Sequence, residues 1–241
     1  MKISVVIPVH NEQDYIEACI KSLLNQTRLP DEIIIVDNNS TDNTVQIVQK
    51  YPQVKLIHEK KQGITPARNA GYTAATGDVI VRTDADSQPP RGWVRRIEQL
   101  FTKEPIDALT GPLRYYDLSN KNVSPIFDSY VSMMKRILEY PLLHGPNAAL
   151  TKLMWNKVRT NICLDDHEVH EDYDLTIHIH KMGGKIKYDP KLLMYTSGRR
   201  IMKDPLAFFV EYPVRATKTI RKHYSVRSSI NNRLRQSLFE E

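Results

Sequence analysis

Asp78-Val79-Ile80-Val81-Arg82-Thr83-Asp84-Ala85-Asp86 is an apolar run closed by two carboxylates. Side chains two apart on an extended strand point to the same face, so Asp84 and Asp86 are expected to share one side of the strand end and Ala85 to face the other. Two hard carboxylate oxygens held together suit a divalent cation such as Mg²⁺ or Mn²⁺. Taken alone, the pair is equally two acids in a turn. Its surroundings decide between them.

Towards the N-terminus the same pattern recurs. Ile3–Val9 and Glu32–Asp37 read as strands too apolar for alternation, hence buried on both faces, and Val54–His58 reads as a third. Between them lie helical stretches: Glu12 to Gln26 with Ile16, Ile20, Leu23 and Leu24 on one face, then a helix through Val45 and Val48 with Ser40 as N-cap. Alanine-rich 66–76 and 93–102 follow as helices on either side of the quoted strand. Strands alternating with helices imply an α/β fold with a mostly parallel sheet and right-handed crossovers. Ligands on such sheets bind at the carboxyl ends of the strands, where the polar clusters of this chain lie. The second half is less regular. Residues 107–113 read as a strand, 129–140 and 171–182 as helices, the latter stopped by Gly183-Gly184, with short strands at 185–188 and 192–195. Asp204-Pro205 reads as N-cap and N1 of a last helix, which Pro213 kinks.

The chain has 241 residues, 41% hydrophobic and 26% charged, an ordinary globular balance. Two cysteines far apart, Cys19 and Cys163, argue for a reducing compartment and against a disulfide framework or a cysteine-based zinc site. The first strand starts at Ile3, leaving no room for a signal peptide, and no run reaches the ~18 apolar residues of a membrane span. The expected location is cytoplasmic. The net charge of +6 is uneven: residues 1–198 balance, whereas 199–241 hold ten basic against four acidic residues. A neutral body of 1–198 with a basic helical tail of 199–241 follows. Phe209, Val210, Val214 and Ile220 interleave there with Arg215, Lys218, Arg221 and Lys222. Such a helix either lies on an anionic membrane surface or packs its apolar face on the core with its basic face solvated. Nucleic acid is excluded as a partner, since the basic excess lacks the interleaved aromatics of a strand-binding groove.

Five motifs in order resemble the family-2 glycosyltransferases, inverting enzymes of the GT-A fold. They are Pro8-Val9-His10-Asn11-Glu12, Val36-Asp37-Asn38-Asn39-Ser40-Thr41-Asp42, Lys61-Gln62-Gly63-Ile64-Thr65-Pro66-Ala67-Arg68-Asn69-Ala70-Gly71, Asp84-Ala85-Asp86 and Glu171-Asp172. The resemblance covers roughly residues 1–200, with 1–104 as the nucleotide-sugar half and 105–198 as the acceptor half. It implies a nucleotide-diphospho-sugar donor, UDP- or GDP-linked, bound with Mg²⁺ or Mn²⁺. The acceptor is a glycan, lipid or polyprenyl-linked hydroxyl.

The resemblance also implies roles. Pro8, Glu12, Asp37, Arg68 and Asp84 contact the donor nucleotide, and Asp84 with Asp86 holds the metal. Asp172 is the catalytic base, with Glu171 as the fallback. On its own Asp37 is equally a helix-start acid, and Arg68 equally a solvated surface arginine. Gly63 and Gly71 are expected to permit tight turning and close packing. Gly145-Pro146-Asn147-Ala148 resembles a small-residue loop beside the donor sugar and acceptor, although Gly-Pro-Asn is equally a generic turn. Relatives often supply a late histidine as metal ligand where this chain has Ser197-Gly198-Arg199-Arg200, so Arg199 or Arg200 reaches the diphosphate instead, or water completes the metal shell. A helix N-terminus is expected to lower the Asp172 pKa and keep it ionised.

Read from residues alone, Asp165–Asp174 fails as a zinc-protease motif, because its histidines are three apart. His178, His180 and Lys181 are expected to complement the end of their helix, and Trp93 and Trp155 to serve packing. A nucleotidyltransferase would show a Gly-rich basic loop where His10-Asn11-Glu12 stands. A non-catalytic nucleotide-sugar binder would have lost one of Asp84, Asp86 or Asp172.

Overall fold

The computed structural model describes residues 1–118, 123–166, 168–203 and 212–224. Seven strands form the main sheet in the order β3-β2-β1-β4-β8-β6-β9: β1 (Ile3–Val9), β2 (Glu32–Asp37), β3 (Val54–His58), β4 (Val79–Arg82), β6 (Ala108–Thr110), β8 (Ala148–Thr151) and β9 (Ile186–Tyr188). The first four are mutually parallel, as expected from their continuous apolar runs. A small sheet joins β5 (Ser87–Gln88), β10 (Met194–Thr196) and β7 (Leu113–Tyr115).

Alternation along the strands divides the core. Ile3, Val5, Ile7 and Val9 with Ile33 and Ile35 pack on one face, against α1 (Ile16–Leu24) and α4 (Trp93–Lys103). Val6, Ile34, Val36 and Ile80 line the other, under α3 (Ile64–Ala74), α6 (Lys152–Val158) and α7 (Glu171–Lys181). Trp93 and Trp155 are buried packing residues, as expected.

Gly71 of α3 lets that helix lie on the sheet. A Cβ there would stand 2.3 Å from Val6 Cγ1 and 2.8 Å from Val36 Cγ2. Gly71→Ala is expected to cost about 1–3 kcal/mol by overpacking, read as a lower urea midpoint. Gly92→Ala, where a Cβ meets nothing within 4 Å, is the neutral control. Equal midpoints for the two variants would contradict the close-packing reading. Gly63 has φ +135°, which favours glycine.

Several expectations are corrected. Ser40 does not cap α2 (Thr44–Val48); Asp42 Oδ1 accepts from the Thr44 main-chain N–H (2.9 Å) and hydroxyl (2.5 Å) instead. Residues 107–113 are not one strand. Gly111-Pro112 breaks them into β6 and β7, which belong to different sheets. The loop expected at 145–148 leads directly into β8, an antiparallel strand between β4 and β6. The proposed helix start at Asp204-Pro205 lies outside the described residues. The described part of the last helix is α9 (Tyr212–His223), and the residues before Pro213 on which a kink would depend lie outside the described residues. Helix α9 buries Ala216 and Thr219 against the body while Lys218, Arg221 and Lys222 face outward. Among the described residues no helix is long and apolar enough to cross a membrane.

Candidate active site

Strands β1, β2 and β3 step outward in one direction, and β4 lies on the opposite side of β1. The crevice beyond their carboxyl ends is therefore the topological switch point of the sheet, where such folds bind ligands. Residues 10–12 enter it from β1 and 83–86 from β4. The chain does not continue extended through Asp86. Strand β4 ends at Arg82, and a turn closed by Ser87 N–H donating to Asp84 O (3.0 Å) carries Ala85 into the core. The expected sharing of one strand face by Asp84 and Asp86 is thus replaced by a turn. In it each acid meets a different arginine.

Arg82 is the first. Alternation places it on the same sheet face as Ile80, beneath α7, and its side chain is 4% exposed. Its Nε and Nη2 donate to Asp84 Oδ1 (3.2 and 3.1 Å), while Nη1 donates to Asp172 Oδ1 (3.0 Å) and lies 3.8 Å from Glu171 Oε1. The main-chain N–H of Gly145 donates to the other Asp172 oxygen (2.8 Å). A Cβ at Gly145 would stand 2.6 Å from Arg82 Cζ, so the glycine leaves the guanidinium room to sit where it does. One buried guanidinium thus ties the acid after β4 to the acid opening α7. Burial opposes its charge, but Asp84, Asp172 and Glu171 outweigh that and hold it more firmly protonated than a free arginine.

Arg199, opening α8 (Arg199–Lys203), is the second. Its Nε donates to Asp86 Oδ2 (3.0 Å) and its Nη2 to both Glu12 oxygens (2.5 and 2.6 Å), with the guanidinium 4.2 Å above the Tyr15 ring. Burial raises the Glu12 carboxyl above its ordinary value despite Arg199. Burial and then Asp84 raise Asp86, again against Arg199.

The two acids opening α7 diverge. Burial works against ionising Glu171, but His170, Arg82 and Arg68 outweigh it and bring its carboxyl to about 2. Burial, reinforced by Glu171, raises Asp172 above the usual carboxylate range even against Arg82 and His170. The expected lowering of the Asp172 pKa by the helix end is therefore reversed. Desolvation and a neighbouring anion outweigh the helix dipole.

The other predicted residues distribute as follows. Pro8 is buried within β1, paired in register with Val36. Asp37 ends β2, where Oδ1 accepts the Ser40 N–H (3.1 Å) and Oδ2 pairs with His58 Nδ1 (3.1 Å). Arg68 is not solvated. It is fully buried, with Nη1 on the Glu171 carbonyl (3.0 Å) and its other nitrogens on Asn69 Oδ1 (3.1 and 3.0 Å), so it faces α7 rather than solvent. Asn147 is likewise taken up by the protein. It accepts from Trp93 Nε1 (2.9 Å) and donates to the Leu192 carbonyl (2.7 Å), an arrangement that fixes the loop instead of presenting an amide to a ligand. Arg200 is exposed beside Arg199.

Two residues escaped the sequence reading. Arg82 left a signal, a cation ending an otherwise apolar buried strand, which demands acidic partners. Asp166 left none. From the loop before α7 it accepts from the Thr65 N–H at the start of α3 (3.3 Å) and from the Thr65 hydroxyl. Arg215 of α9 in turn donates to the Asp166 carbonyl (2.7 Å).

Asp84 and Asp86 offer the hard oxygen ligands a divalent cation takes, but here Asp84 turns to Arg82 and Asp86 to Arg199. Glu12 and Asp86, both raised by burial, stand to gain from more positive charge. Arg199 already bridges that pair.

The sequence profile of Glycosyl transferase family 2 matches residues 4–154. The chain belongs to this family. Its fold is the GT-A fold. Among curated relatives, the probable glycosyltransferase YdaM of Bacillus subtilis is 29% identical over 213 residues, 80% of this chain and 50% of its own length. The chain thus spans half of that relative. Two solved structures superpose well at low identity. Glucosyl-3-phosphoglycerate synthase from Mycobacterium tuberculosis, in complex with Mn²⁺, uridine diphosphate and glucosyl-3-phosphoglycerate, is 19% identical with TM-score 0.66, covering 92% of this chain and 79% of that one. Mannosyltransferase PcManGT from Pyrobaculum calidifontis, in complex with GDP-Man and Mn²⁺, is 19% identical with TM-score 0.65, covering 99% and 81%.

Proposed function

We propose that this glycosyltransferase moves a sugar from a nucleotide-diphospho-sugar to an acceptor hydroxyl by a single, inverting displacement dependent on Mg²⁺ or Mn²⁺. The observation that carries it is the Arg82 bridge, which sets the donor-side acid Asp84 and the base Asp172 at opposite ends of one buried group. Residues 1–104 serve the donor and 105–198 the acceptor. Glu12, Asp37 and Asp84, beside Pro8, contact the nucleotide. Asp84 and Asp86 hold the cation, and Arg199 or Arg200 meets the diphosphate. Arg68 and Asn147 position the elements around them. A bound Mg²⁺ or Mn²⁺ supplies positive charge against the anion that develops on the leaving diphosphate.

Asp172 takes the acceptor proton. Arg82 and the Gly145 N–H hold its oxygens in place, and a raised proton affinity suits a base working near neutral pH. Glu171, ionised far more readily, is the weaker base and supplies negative charge beside Arg82. With one base and no second carboxylate nucleophile in this scheme, the acceptor attacks directly and the anomeric centre inverts. Solved neighbours hold UDP and GDP-Man, which supports either base in the donor. A glycan or lipid-linked acceptor, met at the cytoplasmic face of an anionic membrane, accords with the outward basic face of α9.

Thermal shift against a panel of nucleotide sugars tests the donor assignment. One UDP- or GDP-sugar is expected to raise the melting temperature only with Mn²⁺ or Mg²⁺ present. Asp86→Asn is expected to lose about tenfold or more of that metal-dependent affinity, on the order of 1.4 kcal/mol. Metal-independent stabilisation, unchanged in Asp86→Asn, would count against the site.

A further inference from the structure

A second cluster, which the transfer reaction does not use, starts on α7 two residues beyond the proposed base and runs to the last turn of that helix. Asp174 and His178 are four apart on α7, hence on one face, and His223 closes α9 opposite them. One ligand atom from each lies within 4.8 Å of the other two. Asp174 is 1% exposed. Its Oδ2 accepts the Cys163 N–H (3.0 Å), while both imidazoles address Oδ1, His223 Nε2 at 2.7 Å and His178 Nε2 at 3.7 Å. Helix-end histidines complement the dipole from any rotamer. His178, though, turns sideways towards Asp174 and stops short of hydrogen-bonding distance.

We propose that Asp174, His178 and His223 form a zinc site that staples α9 to α7. The donor set is two imidazole nitrogens and one carboxylate oxygen, which selects Zn²⁺ over Mg²⁺. The geometry is close to what an ion would impose. Ligand atoms about 2.0–2.1 Å from a tetrahedral zinc lie about 3.3 Å from each other, between the 2.7 and 3.7 Å seen here. Two imidazoles on such an ion place their centroids about 5 Å apart, and those of His178 and His223 are 4.8 Å apart with planes at 86°. The fourth position is left to water. Lys181 Nζ lies 3.3 Å from His223 Nδ1 and donates to the His223 carbonyl (3.0 Å). Ligation through Nε2 moves the ring proton to Nδ1, so the exposed Lys181 ammonium must turn away. Asp174 then binds the metal through Oδ1 while Cys163 keeps Oδ2 in place, as outer-shell donors do.

The test uses the full chain without a histidine tag, with excess Mg²⁺ present to fill the carboxylates of the crevice. Calorimetric titration with ZnCl₂ and metal analysis after dialysis are expected to give about one zinc per chain, and zinc is expected to raise the melting temperature. His178→Gln and His223→Gln should each weaken binding by more than about 100-fold, since even outer-shell partners cost tenfold or more. Failure of the wild-type chain to retain zinc overturns the proposal whether or not the variants fold. Retention of equal zinc affinity in folded His178→Gln or His223→Gln overturns it equally.

Discussion

Asp172→Asn is expected to lower turnover by about 10²–10⁴-fold, the usual worth of a positioned base, while metal-dependent nucleotide binding stays near wild type. The asparagine keeps the shape and can still accept from Arg82, but it cannot take the acceptor proton. The pH profile gives an independent check. The base works ionised, and burial raises its carboxyl. Activity of the wild-type enzyme should therefore fall with acidification through a limb lying above the ordinary aspartate value of about 3.9. Glu171→Gln serves as the comparison. Its carboxyl is already pulled to about 2 by neighbouring charge, so it makes a poor base, and its loss should reduce turnover less. Full activity in Asp172→Asn, or a larger loss in Glu171→Gln, would overturn the assignment.

The N-terminal half was legible because its strands are buried on both faces. Unbroken apolar runs such as Ile3–Val9 and Glu32–Asp37 leave little choice of element, and parallel pairing follows from the helices between them. Strand β8 was hidden by its composition. Ala148-Ala149-Leu150-Thr151 is short and small-chained, and it follows the turn-like Gly145-Pro146-Asn147. Glu12, Asp84, Asp86 and Asp172 stand out in motifs, but their side-chain partners do not. Arg199 meets Glu12 across 187 positions, and Asn147 meets Trp93 across 54, separations no local pattern encodes. Arg68 was misjudged for a related reason: a surface arginine and a fully buried one read alike until the element covering them is known. The proton affinity of Asp172 inverted the expectation because a helix end is visible in sequence and desolvation is not.

Arg82→Met carries the largest expected cost in stability. The substitution keeps the bulk in a buried site but strands Asp84, Asp172 and Glu171 without the guanidinium they share. Breaking a buried ionic network by deleting one partner costs about 3–5 kcal/mol, a large part of the margin of an ordinary domain. The sign of its pH dependence follows. Without Arg82 the folded-state pKa of Asp172, already raised, climbs further above its unfolded value. Protonating it then stabilises the fold, and that contribution is lost as pH rises through the folded-state value. The deficit of Arg82→Met against wild type should therefore shrink towards acid pH and widen towards neutral, as measured by urea midpoints. Arg82→Lys restores a charge but not the fork. One ammonium cannot reproduce the three directed bonds to Asp84 and Asp172, so stability should recover more than turnover does. An unfolding midpoint for Arg82→Met equal to wild type at neutral pH would show that the two acids do not depend on this residue. The bridge between donor side and base would then be incidental.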